Sequence, residues 1–339
     1  MDELHMLAEL RRDTPPIRAG ASGAARARLL EEMTAPSRSR VRLRPIIVRA
    51  GVVAALASAI ITAIAVPRDT GGDPARPGVV AVLAGAQPAV AAVAKRARTA
   101  AEKQSTEKVP ADSWTYVRTL QRETESHDLS DLRDWYTADG RWNAGVDDDG
   151  RVTVSEIDPE RDVPSAAFLL GAPTEPEGMA RHVYAEVDRI IAAERAGGIR
   201  SSTVDTSRGR DVAAFALVKE ALKRYYVTPR QQAALYGALA YIPGVTVIED
   251  VEDAAGRHGQ AFGIIDAQSV RSEIVFDRRT YRYLGSRSVF TEDYTESPPP
   301  PGVDSDYDPD NPLHFAKGTV VELTAKMDAA VVDGPGQRP

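Results

Sequence analysis

Asp304, Asp306, Asp308 and Asp310 alternate through one proline-rich stretch. Outside a cell, an alternating set of carboxylates can hold calcium, a hard ion that takes oxygen ligands. The EF-hand pattern fails here: Pro309 stands where its glycine should be, and Phe315 where its glutamate should be. The stretch therefore reads as a solvated acidic loop, with calcium binding as the alternative. Asp147 to Asp149, ahead of Gly150, reads as a turn. The histidines at 5, 127, 182, 258 and 314 are scattered and form no His-Glu-x-x-His pair. His182, beside Tyr184 on a helix-patterned stretch, reads as a surface residue rather than a ligand. Leu284-Gly-Ser-Arg-Ser288 lacks the second glycine of a nucleophile elbow, and no glycine-rich loop leads into a lysine. The chain has no cysteine, which excludes disulfides and thiolate zinc sites. These residues point away from an enzyme, and no catalytic residue, metal or cofactor is assigned.

The rings of Trp114, Tyr116, Trp135, Tyr136 and Trp142 are concentrated in one short region. Packing inside a core or on a sheet accounts for such rings, because buried aromatics dominate core energetics. The functional alternative is an apolar groove between sheet and helices that holds a lipid or a peptide, lined by Trp114, Tyr116 and Trp135.

The element that would place such a groove in the cell is the apolar run Ile46 to Val66. From Ala50 to Val66 about 17 uncharged residues rise ~1.5 Å each, and adding Ile46 to Val48 brings the length to about 30 Å, the thickness of a hydrocarbon core. Arg49 falls near one end of that helix, where its guanidinium can snorkel to the head groups. Arg38, Arg40, Arg42, Arg44 and Arg49 crowd the amino-terminal flank, whereas Arg68 on the other side is followed at once by Asp69. The positive-inside rule then keeps the amino terminus in the cytoplasm. Ala63-Ile-Ala65 resembles a cleavage site, but the segment ahead of the span is much longer than the charged region of a signal peptide. The net charge of −7 argues against a nucleic-acid partner.

Four segments follow from this topology. Residues 1–44 form a short cytoplasmic segment, residues 45–67 the transmembrane helix, residues 68–78 a linker, and residues 79–339 an extracytoplasmic domain. Two stretches of the first segment, around Leu4, Leu7 and Leu10 and around Leu29, Leu30 and Met33, have helical spacing. They are too short to bury a core alone. They read either as a disordered tail or as a docking element that folds on a cytoplasmic partner.

In the outer segment, Val79 to Glu102 is alanine-rich and helical, with Gln87-Pro88 interrupting it. Strand signals follow at Trp114–Leu120, Leu132–Thr137 and Arg151–Ser155, with Asp139-Gly140 and Asp147–Gly150 as the turns of an antiparallel meander. Met179, Val183, Val187, Ile190 and Ile191 recur at helical spacing, as do Phe215, Val218, Leu222 and Tyr225. Thr228-Pro229-Arg230-Gln231 is a capping box, and the helix it starts carries Leu235, Leu239 and Ile242. Strands return at Val245–Ile248, Ala261–Ile265, Ser272–Phe276, Tyr281–Leu284 and Thr319–Met327. The order of strands, helices and strands predicts an α+β domain, an antiparallel sheet with helices on one face.

Several stretches together resemble a known family: Met1-Asp-Glu-Leu-His-Met-Leu-Ala-Glu-Leu-Arg11 with Thr14-Pro15-Pro16, the arginine-flanked span, Trp114-Thr-Tyr-Val-Arg118, Asp134-Trp135 with Asp139-Gly140, Leu235-Tyr-Gly-Ala-Leu-Ala-Tyr-Ile-Pro-Gly-Val245, Asp253-Ala-Ala-Gly-Arg257, Phe276-Asp277 with Leu284-Gly285, and Val331-Val-Asp-Gly-Pro-Gly-Gln337. The pattern is similar to an uncharacterised family of actinobacterial single-pass membrane proteins, often encoded beside extracytoplasmic-function sigma factors. The resemblance implies an envelope sensor or regulator, anti-sigma-like, that engages a sigma factor through residues 1–44. The chain lacks the His-x-x-x-Cys-x-x-Cys motif of zinc anti-sigma domains. The other reading is a membrane-anchored domain that binds a lipid or cell-wall ligand, with the bilayer as its partner and no regulatory tail. By analogy, the outer domain resembles the convex-sheet architecture of lipoprotein carriers.

Overall fold

The computed structural model describes residues 87–104, 109–123, 128–147, 149–158, 164–196, 204–296 and 312–339. The described residues all belong to the unit Ala75–Pro339. The segment at 1–44 with Arg38, Arg40, Arg42 and Arg44, the span at 45–67 with Arg49, the linker at 68–78 and the acids from Asp304 to Asp310 lie outside them. Among the described residues, no helix is long and apolar enough to cross a membrane.

Helix α1 (Pro88–Ala101) begins where the proline permits, since a proline fits the first turn of a helix but not its interior. It buries Val90, Val93, Ala94, Ala97 and Ala101, one stripe at helical spacing. Strands β1 (Trp114–Glu123), β2 (Ser130–Thr137), β3 (Trp142–Val146) and β4 (Val152–Glu156) form an antiparallel meander, as the short turns predict, with β3 in addition to the three expected strands. A 3₁₀ turn at Ala166–Leu169 leads to α2 (Pro176–Arg195), which buries Met179, Val183, Val187 and Ile190. Helix α3 (Arg210–Arg224) follows, then α4 (Pro229–Leu239). The capping box of α4 is formed: Thr228 accepts from the Gln231 backbone, and the Gln231 side chain accepts from the Thr228 backbone.

Strands β5 (Thr246–Glu252), β6 (His258–Ile265), β7 (Val270–Phe276) and β8 (Tyr283–Phe290) form a second meander. A small hairpin of β9 (Tyr294–Thr295) and β10 (His314–Phe315) precedes the long β11 (Val320–Val332). The fold is α+β, with four helices among the described residues and a nine-stranded antiparallel sheet in the order β4-β3-β2-β1-β11-β8-β7-β6-β5. The last long strand thus lies between the two meanders, paired with β1 on one side and β8 on the other.

Strand β8 differs from the sequence expectation in two ways. Strand β8 starts at Tyr283 rather than Tyr281, because Asp277 to Tyr281 form the turn and Tyr281 has a left-handed φ of 58°. It also runs on through Gly285-Ser-Arg-Ser288, residues of weak strand propensity, because β7 and β11 pair with it on both sides. At Gly285 an added Cβ would lie 2.0 Å from the carbonyl oxygen of Thr324, so only glycine permits this approach of β8 to β11.

The main core joins the helices to one face of the sheet. Met179, Phe215, Leu222, Leu235 and Leu239 pack with Tyr136, Phe262, Ile274, Phe276 and Tyr283. Separate small clusters lie on the other face: Val251, Ala261, Val275 and Leu284 in one, and Tyr116, Trp135 and Ala144 in the other. Strand alternation produces this division, because neighbouring residues such as Trp135 and Tyr136 point to opposite faces.

Candidate functional site

Helix α3 carries Lys223 and Arg224 in its last turn and stops at Tyr225, whose backbone is extended. A helix leaves its last carbonyls without intrahelical partners. Lys326, on β11, supplies donors for two groups at this end. Its Nζ donates to the carbonyl oxygens of Leu222 and Tyr225, both at 2.6 Å. The ring of Tyr283 lies beneath, its centroid 5.6 Å from Nζ. Lys326 is 8% exposed. Burial, and then the charge of Arg282, bring its amine down to about 7. The two carbonyls and the negative end of the helix act the other way, since both favour the ammonium.

Lys326 lines a cavity of about 630 Å³, together with Leu222, Tyr226, Gln232, Thr280 and Arg282. Each wall has a local cause. The capping box starts α4 at Pro229, a few residues after α3 ends, so Tyr226 and Pro229 both line the cavity. Gln232, near the start of α4, donates through Nε2 to the Tyr281 carbonyl at 2.7 Å and accepts from the Tyr283 backbone N–H at 3.1 Å. Its side chain thereby fastens the β7–β8 turn to α4. Asp277 shapes that turn by accepting from the backbone N–H groups of Arg279 and Thr280 and from the Thr280 hydroxyl. Arg282 follows on the exposed side of the turn.

A second cavity of about 370 Å³ shares Tyr226 with the first. Its lining includes Val109, Ala166, Leu169, Leu170 and Ala172. The two spaces differ in character: Arg282 gives the first a cationic group beside the Lys326 amine, whereas small and branched apolar side chains dominate the second, with Arg230 among them. Both fall within the range of roughly 300–1,000 Å³ typical of small-molecule sites.

Near Lys326, a charged cluster ties α3 to β11. Glu322 accepts from Lys219 Nζ at 2.9 Å and from Lys223 Nζ at 2.7 Å, and Glu220 lies 3.6 Å from Lys219. Burial would raise the Glu322 carboxyl, but the two ammonium groups reverse that and hold it at about 2. The Lys219 amine is raised: its burial opposes the charge, and Glu322 and Glu220 overcome that. Ser286 and Thr324 add a buried hydroxyl pair at 2.8 Å on the same face of the sheet. A mutual neutralisation of this kind fixes the seating of α3 on the sheet, and Lys326, outside it, faces the cavity of about 630 Å³.

Trp114, Tyr116 and Trp135 do share one face, as the sequence expects, but among the described residues α1 to α4 cover the opposite face. The expected groove between sheet and helices is therefore not lined by these rings. Tyr116 and Trp135 are cross-strand partners with ring centroids 5.2 Å apart, and Ala144, Trp114 and Val332 complete their cluster. The Trp135 indole donates to the Gln337 carbonyl at 2.7 Å, so chain beyond β11 packs over them. Period-2 alternation dictates that the three rings lie together, but the choice of face depends on where the helices dock. Tyr136, one residue on, points to the helices and meets Tyr225 edge-on at 4.9 Å. His182 stacks on Phe168 and bonds the Phe168 carbonyl at 2.9 Å, a structural role.

Sequence inspection misses Lys326 and Arg282. Their one visible signal is a lysine set among alternating residues of a strand, Thr324-Ala-Lys-Met327. Among the described residues, no cluster of His, Cys, Asp or Glu is placed to hold a metal ion. Comparison with protein-family models, with curated proteins and with solved structures finds no match to this chain.

Proposed function

We propose that the chain is a single-pass membrane protein whose outer domain binds a small anionic amphiphile, such as a fatty acid or a lysolipid. The observation that carries this is the pairing of a cavity made cationic by Arg282 with a mainly apolar cavity across Tyr226. An anionic head has donors in the first, and a chain has apolar walls in the second. Membrane attachment rests on the apolar run Ile46 to Val66 and its arginine-rich flank. A sheet with helices laid on one face is also the general plan of lipoprotein carriers, an analogy of fold that fixes no ligand.

Native mass spectrometry of the full chain, released from membranes in mild detergent, tests this. The expected result is a co-purified anionic lipid, weakened roughly tenfold or more by Arg282→Ala, as the loss of a charge-assisted bond implies. A ligand-free spectrum together with no uptake of added oleate would overturn it.

The helical spacing in residues 1–44 favours one regulatory extension: occupancy outside is relayed to a sigma factor that the cytoplasmic segment engages. A pull-down with the full chain in detergent should retain a sigma factor, and a variant lacking residues 1–44 should not. Equal recovery with both, or with neither, removes that extension.

A further inference from the structure

We propose that Lys326 is a carbonyl-capturing amine, forming an imine with an aldehyde whose anionic group is held by Arg282. The geometry fits a neutral amine as well as an ammonium. A neutral amine has two N–H bonds, and two carbonyl oxygens, those of Leu222 and Tyr225, stand at 2.6 Å to receive them. With both donors engaged, the lone pair occupies the remaining tetrahedral direction. The amine is buried and yet lines a cavity of about 630 Å³, ample for a small aldehyde. Lysines that form Schiff bases are of this kind, desolvated and close to a second cation.

The surroundings explain the reactivity. On α3, Lys219, Glu220 and Lys223 are occupied with one another and with Glu322 of β11. Tyr283 presents its ring to the amine from β8, and Tyr226 lines the cavity from the α3–α4 connection. Arg282 is the neighbouring charge that acts on Lys326, and with burial it brings the amine to about 7. A substantial share of Lys326 is therefore neutral under mildly alkaline conditions, when an exposed lysine is almost wholly protonated.

The step balances without an oxidant or reductant. The Nζ lone pair forms a bond to the carbonyl carbon, the carbon–oxygen bond breaks, and the oxygen leaves as water with the two amine protons. The imine nitrogen then takes up one proton from solvent, and that N–H serves one of the two carbonyls. The inference shares its cavity with the proposed ligand site but does not need that ligand. It therefore stands if the ligand reading fails, and it fails alone if oleate binds while no imine forms.

Pyridoxal 5′-phosphate is a suitable probe. The full chain in detergent is treated with it, reduced with borohydride and mapped by peptide mass spectrometry. The expected adduct is at Lys326, ahead of the exposed Lys95, Lys103 and Lys317. Its yield should rise between pH 6 and pH 8. Pyridoxal, which lacks the phosphate, should label roughly tenfold more slowly, and Arg282→Ala should erase that difference. In urea the preference for Lys326 should vanish. Labelling of Lys95, Lys103 and Lys317 with Lys326 left bare at every pH would overturn the proposal, and so would an equal preference in folded and unfolded chain.

Discussion

Lys326 holds the carbonyl of Leu222 at 2.6 Å, across 104 residues of sequence. One side chain of the central strand β11 thereby closes the end of α3 and stands at the wall of the cavity of about 630 Å³. The same contact has a role in stability and a role in chemistry, and the two can be separated by pH and by substitution.

Lys326→Met keeps the length of the side chain and removes its donors. Two buried carbonyls at the end of α3 then lose their partner, at a cost of about 2–4 kcal/mol. Urea denaturation at pH 7 should show this loss. The wild-type protein should also gain stability relative to the variant as pH rises from about 7 toward 10.5, because the folded amine is lowered from 10.5 to about 7. In that interval the unfolded chain binds more protons, so raising the pH favours the folded state. A constant difference between the two proteins across that interval would contradict the lowered amine.

Glu322→Gln strands two ammonium groups, Lys219 and Lys223, against α3. Breaking a buried cluster on one side costs about 3 kcal/mol or more, because the remaining charges lose their compensation. The folded carboxyl at about 2 lies below its ordinary 4.5, so its stabilisation is present above pH 4.5 and is lost as pH falls through about 2. Thermal melts of wild type and variant should therefore converge on acidification below pH 4.5.

Gly285→Ala tests the join between β8 and β11. The new methyl would meet the Thr324 carbonyl at 2.0 Å, and that oxygen belongs to backbone in the middle of the sheet. Relief requires a strand to move, so a cost of about 3 kcal/mol is expected from overpacking. Gly150→Ala is the control in which an added Cβ meets nothing within 4 Å, although its φ of 77° adds modest strain. A smaller loss at Gly285 than at Gly150 in chemical denaturation would show that β8 and β11 are farther apart than described.

Tyr225→Phe deletes a hydroxyl that donates to the Pro164 carbonyl at 2.7 Å in a buried setting. The expected loss is about 1 kcal/mol. The ring contact with Tyr136 survives the change, so hydrogen exchange should loosen near Pro164 and leave β2 protected.

Much of the local structure was legible because its causes are local. Thr228 and Gln231 are three residues apart, and their capping box forms from neighbouring groups alone. Met179, Val183 and Val187 form a stripe because a helix repeats every 3.6 residues. The candidate site was not legible, because Leu222, Tyr225, Arg282 and Lys326 lie on elements that no short-range pattern brings together. Trp114, Tyr116 and Trp135 show the boundary between the two cases. Alternation and the β1–β2 register put them side by side, but the side of the sheet they occupy follows from where α1 to α4 pack.

By itself the sequence determined the α+β class, the helices and their buried stripes, the meander turns, and an apolar run with an arginine-rich flank. Each depends on spacing, propensity or hydrophobic length within a few residues. Only the tertiary structure decided that β11 enters between β1 and β8, that the helices cover the face bearing Tyr136 rather than Trp135, and that Lys326 meets the end of α3. Those outcomes depend on which distant strand completes the hydrogen bonds of a central position and which face buries the most apolar surface, and both are properties of the whole chain.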